Sequence, residues 1–160
     1  IKNGWPQFRV GCAAYPEGHP ETRAADGARD PGRDIGFLKL KQDQGADFAV
    51  TQMFFDNAVY RSFLSRARAA GVSMPLLPGV MPLNSARQIE RFVALAGCSI
   101  PEPLRQAAAS GDVAAAGFRF ALEQCRGLLE DGAPGIHLYT LNQSDLSGKL
   151  LASLREGRLL

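Results

Sequence analysis

The chain has 160 residues, 46% of them hydrophobic, and its 18 basic against 16 acidic side chains leave a formal net charge of +2. That length suits one domain with a true core, and the charge balance gives no electrostatic argument for nucleic acid or an anionic membrane as partner. No apolar run approaches the ~20 residues that a transmembrane helix needs. Cys12, Cys98 and Cys125 show no CxxC pair and no metal-ligand spacing. Scattered thiols in apolar segments are expected to be reduced, packed in a core and at home in the cytoplasm. The chain starts at Ile1-Lys2-Asn3 with no initiator Met and no signal-peptide pattern, and it reads as beginning inside a larger unit.

Phe8 to Ala14 is expected as a short apolar strand. Thr22 to Arg33 has no hydrophobic period and reads as a mobile surface loop. Asp34 is placed to cap a helix carrying Ile35, Leu38 and Lys41, with Gly45 as its stop. Phe48 to Phe55 is nearly continuous in apolar residues, the pattern of a strand buried on both faces. Asp56 or Asn57 caps a second helix with Val59, Phe63, Ala67 and Ala70 on one stripe, ended by Gly71. Met74 to Val80 is a third strand, broken by Pro78-Gly79 and Pro82. Asn84 caps a third helix, in which Ile89, Phe92, Val93 and Ala96 fall at the helical period. A short helix runs from Ile100-Pro101 to about Ala109, and Ser110-Gly111-Asp112 starts a longer one with Ala121, Cys125, Leu128 and Leu129 aligned. Ile136 to Thr140 is a fourth strand, and Asn142 caps a last helix holding Leu146, Leu150 and Leu154.

Strands alternating with helices imply an α/β fold with a parallel sheet and right-handed crossovers. The polar residues cluster at the strands' C-terminal ends: Tyr15 and His19, Gln52, Tyr139 and Thr140. In a (β/α) TIM-type barrel that is the face where sites are built, and about four βα units make half of such a barrel. A doubly wound sheet is the main alternative. It would usually bring a glycine-rich phosphate loop after the first strand, and no GxGxxG or GxxxxGK[ST] is present.

The stretch Ala13-Ala14-Tyr15-Pro16-Glu17-Gly18-His19-Pro20-Glu21 stands out within this frame. Its prolines and glycine stop the strand and stiffen a loop that carries a phenol, an imidazole and two carboxylates. Read alone, the loop is a binding wall or an ordinary polar turn. Asp34 is a helix cap, Lys41 and Gln88 are helix-surface residues, and Phe92 is core. Gln52 is a buried amide that must find partners or cost roughly 1–3 kcal/mol.

That stretch, followed by Thr51-Gln52-Met53-Phe54-Phe55-Asp56, Leu77-Pro78-Gly79-Val80-Met81-Pro82 and His137-Leu138-Tyr139-Thr140-Leu141-Asn142, occurs in an order and spacing that resemble the 5,10-methylenetetrahydrofolate reductase family. The match runs from about Phe8 to the C-terminus. The resemblance implies the C-terminal half of an eight-unit barrel that binds FAD at its C-terminal face. It also implies reduction of 5,10-methylenetetrahydrofolate to 5-methyltetrahydrofolate with NADH or NADPH. By this resemblance Tyr15, His19, Asp34 and Lys41 match flavin contacts, and Gln52 matches the glutamine that hydrogen-bonds the pterin. Gln88 aligns with another folate contact, Phe92 with a residue packing on the substrate's rings, and Tyr139 with a site position. Gln143 stands where the family usually has an arginine that can pair with the folate's glutamate carboxylate, and it keeps hydrogen bonding without the charge. The segment Thr22 to Arg33 is a few residues longer than is typical. The catalytic glutamate that serves as general acid would lie in the half not present, so no residue here takes that role. An incomplete sheet has open edges, which predict self-association into a homo-oligomer. Two other readings remain: a truncated, non-catalytic flavin-binding half, and an unrelated barrel enzyme for phosphate-bearing substrates.

Overall fold

A computed structural model describes residues 3–96, 99–142 and 144–157, the side chains of 92–96 excepted. The order of elements is β1 (Gly11–Ala14), α1 (Pro31–Asp43), β2 (Phe48–Thr51), α2 (Asn57–Ala69), β3 (Leu76–Leu77), β4 (Gly79–Val80), α3 (Ala86–Ala96), α4 (Glu102–Ser110), α5 (Val113–Glu130), β5 (His137–Leu138) and α6 (Ser144–Glu156). This is an α/β fold in which all the strand pairs are parallel: β1, β2 and β3 form one sheet, and β4 with β5 a second.

The two sheets meet at Pro78. The segment from Met74 to Val80, expected as one strand, is two short ones in different sheets. Ala49 and Val50 pair with Leu76 and Leu77, whereas Gly79 and Val80 pair with His137 and Leu138. Proline has no N–H to extend the first ladder, but its carbonyl accepts the His137 N–H at 3.0 Å and so opens the second. Thr51 closes the joint. Its hydroxyl accepts the Gly79 N–H at 2.9 Å, and its carbonyl accepts the Tyr139 hydroxyl at 2.9 Å. Thr51 is wholly buried. Only glycine fits at 79, because a Cβ there would lie 2.3 Å from the Thr51 carbonyl oxygen and 2.6 Å from the Tyr139 ring.

Period-two alternation decides which strand residues meet the helices. Ala14, Ala49 and Leu76 are buried against Ile35, Leu38, Phe63, Ala67, Leu128, Leu150 and Leu154 of the surrounding helices. Tyr60 belongs to this core and donates its hydroxyl to the Leu76 carbonyl at 2.7 Å. A second cluster, including Met53, Phe55, Leu83, Ile89 and Leu104, lies under α3 and α4. The opposite strand face is open: Gly11, Ala13 and His137 are exposed.

Several expected boundaries move, each for a local reason. Pairing in β1 begins at Gly11 rather than Phe8, since the Val10 N–H turns to the Asp47 carboxylate at 2.7 Å and Phe8 is exposed. Strand β2 stops at Thr51, not Phe55. Its last ladder bond, from the Gln52 N–H to the Ala14 carbonyl, precedes Tyr15-Pro16, where the partner strand ends. The run Met53-Phe54-Phe55 is apolar because it is buried, not because it is strand. Thr22 to Arg33 is folded back on itself by an Arg23–Arg29 antiparallel bridge, and its last residues already belong to α1. The cap of α1 is Asp30, which accepts the Arg33 N–H at 3.0 Å ahead of Pro31, and Asp34 lies a turn further in. Asp56 is the cap of α2. Ser85, not Asn84, caps α3. Its hydroxyl accepts the Gln88 N–H, and the Gln88 side chain reaches back to the Asn84 N–H at 2.9 Å, a near-relative of the capping box. Asn142 has φ +62°, outside the extended form that an N-cap takes.

Burial pushes the Cys125 thiol from its ordinary 9.0 up to about 12. The unfolded thiol ionises first, so this contribution to stability is complete below pH 9 and is lost as the pH rises toward 12. Urea midpoints should therefore fall more steeply across that window in the parent chain than in Cys125→Ala. At the joint, Thr51→Val leaves the Gly79 N–H without its side-chain acceptor and should cost about 1–3 kcal/mol in urea unfolding, while Thr51→Ser, which keeps the hydroxyl, should recover most of that loss.

Candidate functional site

The loop Tyr15 to Glu21 leaves the C-terminal end of β1 and is tied down on several sides. Gly18 makes the sharp bend at φ +85°, and its N–H returns to the Tyr15 carbonyl at 3.1 Å. The Asp34 carboxylate accepts the His19 N–H at 2.6 Å, and the Arg29 guanidinium donates to the Gly18 carbonyl at 3.2 Å. The Glu17 carboxylate accepts from both the hydroxyl and the N–H of Ser99, ahead of α4. The Tyr15 and His19 rings meet edge to face at 4.5 Å. His19 Nδ1 accepts the Glu21 N–H at 3.1 Å, which assigns the ring proton to Nε2.

Tyr15 and His19 form a wall between two clefts. One, of about 310 Å³, lies between β1 and α1 and is lined by Tyr15, His19, Asp34, Lys41 and the apolar Phe37 and Leu40. The four residues singled out for the flavin thus share one cleft. The Lys41 ammonium donates to the Ala13 carbonyl at 2.9 Å and keeps two further donors. The other cleft, of about 270 Å³, joins Tyr15 and His19 to Glu17, Glu21, Arg29 and Gln52. Gln52 lies just beyond the end of β2 and is half-buried. Its Oε1 accepts the Met53 N–H at 3.0 Å, and its NH₂ has no partner among the described residues. Gln88 and Tyr139 line a narrow crevice further along the same rim. Burial pushes the Tyr139 phenol up from its ordinary range, and the nearby Tyr15 adds to the shift.

The Phe92 side chain and Gln143 lie outside the described residues. Arg29 and Thr51 were not expected. Arg29 sits in a segment without periodicity, and Thr51 betrayed itself only as the one hydroxyl in an apolar run. Among the described residues there is no His/Cys/Asp/Glu group of three or more that could hold a metal, and no helix is long and apolar enough to cross a membrane.

Parallel strands whose C-terminal ends carry a stiff polar loop and adjoining clefts define an α/β protein of the kind that binds small ligands at the strand ends. The family model of methylenetetrahydrofolate reductase matches residues 1–155, and the chain belongs to that family. It is 36% identical over 155 residues to a probable methylenetetrahydrofolate reductase (NADPH) of Caenorhabditis elegans, covering 92% of this chain and 22% of that protein. An Arabidopsis thaliana methylenetetrahydrofolate reductase (NADH) is 36% identical over 143 residues, covering 84% and 24%. The 5,10-methylenetetrahydrofolate reductase of Escherichia coli is 33% identical over 145 residues, covering 88% and 47%. The chain therefore spans less than half the length of these relatives. Among solved structures, a Clostridium thermocellum protein described as binding two copies of 5-methyl-5,6,7,8-tetrahydrofolic acid shares the fold at TM-score 0.62 and 17% identity, over 99% of this chain and 57% of that one.

A charge-assisted bond to a backbone N–H is worth about 1.5–3 kcal/mol. Asp34→Ala should accordingly speed hydrogen exchange of the His19 amide by about 10- to 100-fold without global unfolding, and Asp34→Asn should do so less.

Proposed function

We propose that this chain forms one wall of a barrel-type site where 5,10-methylenetetrahydrofolate is reduced to 5-methyltetrahydrofolate, with FAD as resident cofactor and NADH or NADPH as reductant. The observation that carries this reading is the gathering of Tyr15, His19, Asp34 and Lys41 in one cleft. β1, β2, β3/β4 and β5 are read as successive staves of a (β/α) barrel, with Gly11, Ala13 and His137 facing its interior.

The cleft fits such a cofactor in the donors it keeps. Lys41 has two donors left for phosphate oxygens, Asp34 has a carboxylate oxygen left for a hydroxyl, and His19 has its Nε2–H. Phe37 and Leu40, 44% and 55% exposed, give the margin an apolar surface. When bound, the flavin supplies hydride chemistry that no side chain can. The residues of this chain bind and orient. Gln52 offers its NH₂ and a second Oε1 lone pair to a pterin edge. Gln88 offers its Nε2 donors while its Oε1 holds the helix start. Phe92 packs on the rings, and Tyr139 borders the site from Thr51. Gln143 offers the folate's glutamate a hydrogen bond without charge. No residue of this chain is assigned the proton donor.

The exposed strand face favours a second reading: a non-catalytic flavin-binding half that needs self-association, or a complementary half, to work. The two readings separate in one preparation. A chain that stays yellow with added FAD, bleaches with NADH or NADPH and turns over the folate is a working reductase. One that binds FAD without turnover and sediments as a homo-oligomer is the binding half. Lys41→Met should weaken FAD binding about 10- to 100-fold by fluorescence quenching, the worth of a charge-assisted phosphate contact. A colourless chain that quenches no flavin fluorescence overturns both readings.

A further inference from the structure

The segment from Thr22 to Asp30 is a small hairpin. The Asp30 N–H returns to the Thr22 carbonyl at 3.0 Å and the Ala24 N–H to the Ala28 carbonyl at 2.9 Å, with Arg23 and Arg29 paired antiparallel between them. At the tip, Gly27 turns at φ +83°, the Asp26 carboxylate accepts the Ala28 N–H at 2.9 Å, and the Arg23 guanidinium donates to the Gly27 carbonyl at 3.3 Å. These bonds tie the tip to itself. Arg29, on the returning limb, reaches instead to the loop after β1.

Arg29 and Asp34 act there on one peptide group. The Arg29 guanidinium donates to the Gly18 carbonyl at 3.2 Å, and the Asp34 carboxylate accepts the His19 N–H at 2.6 Å. That carbonyl and that N–H are the two ends of the Gly18–His19 peptide. A cation holds the negative end of its dipole and an anion the positive end, so one orientation of the plane is favoured and each bond polarises the group for the other. Gly18, at φ +85°, offers little resistance of its own to rotation of that plane, while Pro20 restricts His19 from the other side. Gly18 also admits the clamp: a Cβ there would lie 3.2 Å from the Arg29 Cβ and 3.5 Å from Asp34 Oδ2.

The clamped peptide lies between the two clefts. Asp34 lines the one with Lys41, Arg29 lines the one with Gln52, and Tyr15 and His19 line both. Turning the peptide would withdraw the His19 N–H from Asp34 and disturb the ring that follows it, whose Nδ1 accepts the Glu21 N–H and which meets Tyr15 edge to face at 4.5 Å. We propose that Arg29 is a positioning residue for the cofactor. It acts through the Gly18–His19 peptide to set the Tyr15–His19 wall on which a flavin nucleotide binds, and the hairpin from Thr22 to Asp30 is the strut that brings it there. This rests on the flavin reading above.

Hydrogen exchange of the ligand-free chain tests the clamp, and quenching of flavin fluorescence tests its consequence. Arg29→Met should speed exchange of the His19 amide about 10-fold, the worth of a charge-assisted bond, and leave the Ala49 amide of β2 unchanged. In a chain that already carries Asp34→Ala the same substitution should add little, because one peptide is released only once. FAD affinity should fall about 10-fold in Arg29→Met and recover most of that loss in Arg29→Lys, which keeps a charged donor. Arg23→Met removes an equal charge from the same hairpin and should leave FAD affinity unchanged. An unaltered His19 amide, or effects of Arg29→Met and Asp34→Ala that simply add, overturns the clamp. Faster exchange with undiminished FAD binding overturns the positioning role and leaves the flavin reading standing, as does a loss of affinity that Arg23→Met matches. If the parent chain quenches no flavin fluorescence, the flavin reading falls and the positioning role falls with it.

Discussion

Thr51 holds the molecule's two sheets at one angle. One residue accepts the Gly79 N–H through its hydroxyl and the Tyr139 hydroxyl through its carbonyl, in the interior, where an unmade bond is costly. The strand that ends in β3 can then turn at Pro78 and begin again as β4 beside a different neighbour. One side of the strand-end rim takes its position from this joint. Gln52 follows Thr51 directly, Tyr139 is fastened to it, and Gly79 is excluded from growing a side chain by it. A barrel wall needs such turning points, because strands that stay flat cannot close.

The second determinant is the clamp on the loop after β1. Arg29 and Asp34, at the start of α1, and Ser99, far along the chain, grip it from two sides. The polar residues of the cleft spend part of their capacity on the protein itself, yet leave something over. Asp34 has an oxygen to spare, Lys41 two donors, and His19 its Nε2. Residues that hold the scaffold and still present a free valence to a cleft suit a preformed site, in which binding does not have to order the wall.

The alternation of strands and helices was legible because hydrophobic period is a local property. The residues grouped for the flavin were legible only by resemblance. Nothing in the spacing of Tyr15, His19, Asp34 and Lys41 says that they share a cleft. The errors have a common origin. Met53-Phe54-Phe55 reads as strand because burial and β pairing leave the same apolar signature in a short run. Asp34 reads as a cap because the competing signal, Asp30-Pro31, lies in a segment with no period. Asn84 and Ser85 are both good caps, and the choice fell to Gln88, whose side chain returns to satisfy the helix start. Thr51 was the least legible, since its role depends on a strand break at Pro78 and a tyrosine near the far end of the chain.

The central claim is that the two clefts divided by Tyr15 and His19, with the rim beyond them, are the binding face for a flavin and a folate. A map of backbone amide chemical shifts, recorded on the chain while FAD and then 5-methyltetrahydrofolate are added, tests it most directly. The account predicts FAD-induced changes concentrated from Tyr15 to Glu21 and from Asp34 to Lys41. The folate should add changes at Gln52, Gln88 and Leu141. Changes centred instead on the groove between Phe55 and Phe120, or no changes with either ligand, would contradict it.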